Sequence, residues 1–235
     1  MINLLKEYVR SVLLESVSTE GLAVFVGEGF FNPDSKEAVL VDLSAFKEAM
    51  KEIEEIKGKK TLITPLDVAK FAARESIVGY ISVGPPTHGK AYGAWEVTRS
   101  AGPGYGKLLY AIGYALSPNG LLMPDRSSVS SSARKGWEKA SKTHETLPLD
   151  PLPPENKTAT KEDDSEVHDE EGYEFLDRVY KAQGWEKGTV DQLIAAGNSL
   201  EASLAKKFKG KTDSIIGRFL SAGTSLFSKH YRETI

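Results

Sequence analysis

Residues 99–106 read Arg-Ser-Ala-Gly-Pro-Gly-Tyr-Gly, which places three glycines within five positions, between an apolar strand pattern and an apolar helix pattern. Glycines remove side chains from a turn and admit backbone angles closed to other residues. In the following KLLYAIGYAL, Leu108, Leu109, Ile112 and Leu116 recur at helical spacing. The first amides of such a helix lack intrahelical acceptors, and the helix dipole favours negative charge beside them. Pro103 removes one donor but stiffens the turn. The chemistry this arrangement suits is holding a phosphate or pyrophosphate. It is not a Walker loop, because no Gly-Lys-Ser/Thr follows and Lys107 falls inside the helix start. Nor is it a complete dinucleotide fingerprint, since no ribose-binding strand follows. The same glycines also suit close packing of a helix on a strand, and the sequence leaves that alternative open.

Other candidate chemistry is sparse. The chain has no cysteine, so disulfides, thiolate metal sites and a cysteine nucleophile are excluded. The histidines at 88, 144, 168 and 230 share no ligand spacing, and no metal site is expected. His88, in the turn PPTHGK, is either an exposed turn residue or a base beside an acceptor cleft. Tyr80, Tyr92 and Trp95 read as hairpin core rather than a stacking platform. The short KKFKGK run at 206–211 reads as a solvated helix end. A net charge of −3 with no concentrated basic surface argues against nucleic-acid binding.

The elements that position the glycine turn can be read from periodicity. Strands are expected at 22–26, 38–42, TLITP and SIVGYISV, the last pairing with AYGAWEVTR in a hairpin over 76–99. SAFKEAMKEIEEIK, capped by Ser44, and DVAKFAARE read as helices. After the turn come the helix KLLYAIGYAL, a stop at Asn119-Gly120, the short strand LLMP and the helix SSARKGWEKAS. Residues 2–14 place Ile2, Leu5, Val12 and Leu13 on one face of an amphipathic helix. Residues 145–172 carry ten acids against two lysines among several prolines, and read as a surface linker. YEFLDRVYKA, TVDQLIAAGNSLEASLAKKF and TDSIIGRFLSAGTSLFSKHY then give three helical patches. The expected fold class is α+β. No stretch reaches the length of a membrane-spanning helix and no secretory signal pattern opens the chain, so a cytoplasmic protein is expected.

Arg99-x-x-Gly102-x-Gly104, with the helix that follows, resembles the Gln/Arg-x-x-Gly-x-Gly/Ala signature of the GNAT acyltransferases. SSVSSSARKGWEKAS after LLMP is similar to that family's fourth helix after its fifth strand. The resemblance covers about residues 60–141. It implies a central mixed, mainly antiparallel sheet flanked by helices, here with a C-terminal helical extension. It further implies acetyl-CoA as cosubstrate, held by Arg99, Gly102, Gly104, Tyr105, Gly106 and Lys107, with Val97 on the splayed fourth strand and Trp137 on the fourth helix beside it. Glu96 is then the best-placed base for an amine, unless it is only a strand-edge charge. Family members often protonate the leaving thiolate with a fourth-helix tyrosine; this chain has Trp137 there, leaving Ser127, Ser128 or Ser130 to hydrogen-bond the sulfur. Ser130 is taken as the representative of that group.

The implied organisation is an N-terminal helix at 1–16, a GNAT-like acyl-CoA-binding domain at 17–144, an acidic proline-rich linker at 145–172 and a helical extension at 173–235. The implied function is N-acyl transfer from acetyl-CoA to an amine on a small molecule or protein. The alternative is a catalytically inactive GNAT-like interaction or virion protein. LLKEYVRSVLLE is similar to amphipathic beginnings of phage-encoded proteins, where such peptides engage a capsid partner, which would place the chain in a virion interior.

Overall fold

A computed structural model of the chain describes residues 19–29, 32–57, 63–86, 91–125, 129–149, 174–209 and 213–234. The N-terminal helix expected within 1–16, His88, Ser127, Ser128 and the acidic run beyond residue 149 lie outside the described residues. Seven strands form one sheet in the order β1-β2-β3-β4-β5-β7-β6. They are β1 (Leu22–Glu28), β2 (Lys36–Asp42), β3 (Ile77–Gly84), β4 (Trp95–Ala101), β5 (Leu121–Pro124), β6 (Thr146–Pro148) and β7 (Arg178–Lys181). Every neighbouring pair is antiparallel except β4 and β5. The sheet is therefore mixed and mainly antiparallel, with helices on both faces and a helical extension at the C-terminal end.

Strand alternation sends two sets of apolar side chains to opposite faces. On one face Leu22, Val24, Ala38, Leu40, Ile81 and Val83 meet the helices α3 (Gly106–Leu116), α4 (Ser131–Ser141) and α5 (Trp185–Phe208). On the other, Phe25, Val39, Val41 and Tyr80 meet α1 (Leu43–Lys57), α6 (Asp213–Thr234) and the helical segment α2. Segment α2 runs as Pro65–Asp67, a π-helical turn Val68–Ala72, and Ala73–Ser76. Close approach requires glycine where the extension crosses the sheet. A Cβ on Gly197 of α5 would lie 2.1 Å from the Val24 carbonyl oxygen, and one on Gly223 of α6 would lie 2.4 Å from Val39 Cγ1.

Local chemistry explains where elements differ from the sequence expectation. TLITP does not yield a strand at its described end. Thr64 instead begins a capping box with Asp67, and Pro65 occupies the first helical position, where its missing amide costs nothing. The cap of α1 is Asp42 rather than Ser44: its Oδ1 accepts from the amides of Ser44 and Ala45 at 2.8 and 3.0 Å and from the Ser44 hydroxyl at 2.7 Å. The Ser44 hydroxyl and these amides hold the Asp42 carboxyl below its usual range. Its contribution to stability is thus present above the ordinary carboxylate pKa and fades as pH falls through the lowered value. Asp42→Ala is expected to cost about 1 kcal/mol at neutral pH, read by denaturant unfolding, and correspondingly less in acid.

The largest difference lies after residue 144. Thr146–Pro148, expected within the linker, is the edge strand β6, and Leu149 is buried with Met123 and Val179. YEFLDRVYKA, expected as a helix, is a short 3-10 turn at Glu174–Leu176 followed by β7, which inserts between β5 and β6. Val179 and Tyr180 bury on opposite faces, which suits a strand with cover on both sides and not an amphipathic helix. The helical part of the extension accordingly begins at Trp185.

Candidate anion cradle and strand gap

Three features converge where β4 ends. The first is a gap in the sheet. β4 pairs in parallel with β5 only through Trp95, Glu96 and Val97, opposite Leu122, Met123 and Pro124. Among the described residues, no strand pairs with residues 98–101 on the side away from β3, since β5 ends at Pro124 while β4 runs on to Ala101. A bulge marks the divergence: Arg99 faces Ser82 and Val97 faces Val83, leaving Thr98 as the extra residue on β4.

The second feature is the turn. Tyr105 N–H donates to the Gly102 carbonyl at 2.9 Å, with Pro103 second and Gly104 third at φ +83°. This is the pattern of a type II turn, which demands glycine at its third position. The glycines divide by role. A Cβ on Gly102 would meet the Gly79 Cα and the Val78 carbonyl oxygen, both at 3.0 Å, so this residue lets α3 sit close on β3. Cβ atoms on Gly104 and Gly106 would meet nothing within 4 Å. Close packing, the alternative left open by the sequence, thus accounts for Gly102 and not for the other two.

The third feature is the start of α3. Tyr105 is its N-cap residue without a side-chain cap, and the first helical hydrogen bond runs from Leu109 N–H to the Tyr105 carbonyl at 2.9 Å. The turn beginning at Gly106 therefore presents its amides beside two open-faced glycines. Lys107 follows at once; its Nζ lies 5.2 Å from the centre of the Trp185 ring, a cation–π distance.

The remaining sequence-selected residues separate into those at the gap and those used elsewhere. Val97 lies at the last paired position and is buried with the α3-side core. Glu96 neighbours it on the opposite face, 2% exposed, across from Gly84 and beside Met123. Arg99 is a strand residue opposite Ser82 on the Tyr80 face, not part of the turn, and its charge acts on the Tyr80 hydroxyl. Ser130 is the N-cap of α4: its Oγ accepts from Ala133 N–H at 3.3 Å and lies 3.1 Å from Ser132 Oγ. Trp137 is 2% exposed inside the core, edge-on to Tyr110 and tilted against Tyr180, each at 4.9 Å.

Tyr110 carries no sequence signal that marks it as a site residue. One turn after Gly106, it packs against Trp137, and its hydroxyl is 4.0 Å from where a Cβ on Gly136 would lie. Burial pushes its phenol up to about 12, offset in part by hydrogen bonding with Ser100 of β4. It is a neutral hydroxyl at neutral pH, bonded to β4 while its ring packs on Trp137 of α4. Its helical register with Gly106 was visible; that the register points at α4 required the tertiary fold.

No helix among the described residues is long and apolar enough to cross a membrane, and no cluster of three or more histidine or acidic side chains among them can hold a metal ion. No family model matches the chain, and neither a curated protein nor a solved structure matches it.

Proposed function

We propose that the chain binds an acyl-coenzyme A between β4 and β5 and transfers its acyl group to an amine, as a GNAT-type N-acyltransferase. The observation that carries this reading is the coincidence of the end of the β4–β5 pairing at Val97 with open-faced glycines at a helix start that has no side-chain cap. A strand edge offers amides and carbonyls at β spacing, which suits a ligand arm containing amide bonds, such as pantetheine. The turn and first amides of α3 suit the pyrophosphate at the other end of that arm. A sheet that diverges after its fourth strand, with the glycine turn at that strand's end, is also what the GNAT resemblance implies.

The ligand supplies an activated thioester. The amine nitrogen forms a bond to the carbonyl carbon as the carbon–sulfur bond breaks, and the nitrogen loses a proton. Glu96, one residue before the divergence, is the group we assign to receive that proton, directly or through water. A backbone donor of β4 beyond Val97 would stabilise the developing oxyanion, and much of the rate would come from positioning. Glu96→Gln is expected to lower kcat about a hundredfold at neutral pH with acetyl-CoA affinity retained. Thiol release over a panel of amines measures the first quantity and calorimetry the second. An unchanged kcat would remove Glu96 from the mechanism.

One observation favours a second reading, a non-catalytic member of the same fold acting as an interaction or virion protein. Ser130 and Trp137, the residues standing where a thiolate acid is sought, are used as a helix cap and as core. Acetyl-CoA binding without thiol release over the amine panel would select this reading. Absence of binding would remove the acyltransferase reading.

A further inference from the structure

The described residues hold a second cluster of ionisable groups, remote from the glycine turn. Helix α5 begins after Gly184, which has φ +96° and provides no side-chain cap. Glu186, 1% exposed, reaches back so that its Oε1 accepts from Gln183 N–H at 2.9 Å. Its Oε2 is buried without a hydrogen-bond partner, as is the hydroxyl of Tyr114 on α3. Between these groups lies His144, from the turn that follows α4. Its ring stacks on Tyr114 at 5.5 Å and 14°, meets Tyr180 edge-on at 6.5 Å, and places Nε2 3.9 Å from Glu186 Oε1. Its Nδ1 lies 2.9 Å from the Thr143 hydroxyl. Gln183 Nε2 also donates to the Thr143 carbonyl at 2.8 Å.

We propose that His144, wedged between Tyr114, Tyr180 and Glu186, is an acid-sensitive latch that holds the start of α5 in place. A neutral imidazole fills an aromatic slot at little cost, whereas an imidazolium there loses most of its hydration. The groups facing it are Glu186 from α5, Lys107 and Tyr114 from α3, and Tyr180 from β7. Glu186 favours the charge and Lys107 opposes it, but burial is the largest influence and lowers the ring's pKa below its ordinary value. A histidine with a lowered folded pKa contributes stability that is present above its unfolded value and lost as pH falls toward the folded one. The latch is therefore closed at neutral pH and strained in mild acid. The residues that would yield are those tied by Glu186, because no side-chain cap holds the helix start in its place.

Amide hydrogen exchange of the full chain at pH 7.5 and 5.5, corrected for intrinsic rates, tests this. Protection over residues 184–190 should fall severalfold at pH 5.5 in the wild type, while that of β2 and β3 holds. His144→Phe keeps an aromatic ring in the slot and should remove the pH response; His144→Gln, smaller and uncharged, should do the same even if basal protection drops. Ring proton shifts of His144 provide a measurement free of substitutions, with titration expected below that of a solvated imidazole. A wild-type response absent over 184–190, a response preserved in both variants, or titration at or above the ordinary value would each overturn the proposal.

Discussion

Acetyl-CoA binding is expected to weaken at least about a hundredfold in Gly104→Glu, because a like charge forced against a bound anion costs several kcal/mol and each 1.4 kcal/mol is a factor of ten. The new side chain has room, since nothing lies within 4 Å of a Cβ at this position. It would occupy the open space beside the turn and set a carboxylate near the start of α3. The substitution also places a non-glycine residue at φ +83°, costing about 1–2 kcal/mol of stability. Gly104→Ala carries the same backbone strain without the charge, and calorimetry should find its affinity within about tenfold of wild type if electrostatics and filling dominate. Gly102→Ala should behave differently, lowering stability through contact with the Gly79 backbone. Equal affinity in wild type and Gly104→Glu would place the ligand elsewhere.

Trp137→Ala is expected to destabilise the fold by about 3–5 kcal/mol, the range for removing a large aromatic from a packed core. Trp137 is buried between Tyr110 of α3 and Tyr180 of β7, so it joins the layer around the glycine turn to the late sheet edge. Tyr180 is fixed in turn by its hydroxyl, which donates to the Phe175 carbonyl. Truncation leaves a void with an aromatic wall on two sides, and neither ring can collapse into it without leaving its own contacts. Trp137→Phe retains part of the packing and should cost less, while leaving acetyl-CoA affinity near wild type. Denaturant midpoints at a constant slope provide the measurement. A loss below about 1 kcal/mol in the alanine variant would contradict a core role.

The sequence disclosed the segments whose chemistry is local. Gly104 and Pro103 specify their turn through backbone angles alone, and Leu108, Leu109 and Ile112 specify the buried face of α3 through spacing alone. Those signals place the glycine turn between a strand and a helix without reference to the rest of the chain. Residues 146–148 and 178–181 carry no such signal: they are short, and one run ends in Pro148. They become strands because β5 presents an edge that β7 pairs and β6 completes, a fact about distant residues. Trp137 illustrates the same limit at the site. The GNAT resemblance sets it beside a cofactor, while its packing against Tyr180, from a strand 43 residues later, is not legible in the sequence. Arg99, expected at the end of the strand AYGAWEVTR, lies in β4 opposite Ser82; the bulge at Thr98 beside it carries no mark in the sequence.

The proposed function depends on an anion being held by main-chain amides at the start of α3. Backbone amide shifts followed by NMR during titration of the full chain with acetyl-CoA test it most directly. Saturable shifts centred on Gly104, Gly106, Lys107 and Leu108, continuing along Thr98–Ala101 of β4, are the expected result. Shifts that leave these residues unmoved at saturating acetyl-CoA, or that centre elsewhere on the sheet, would contradict it.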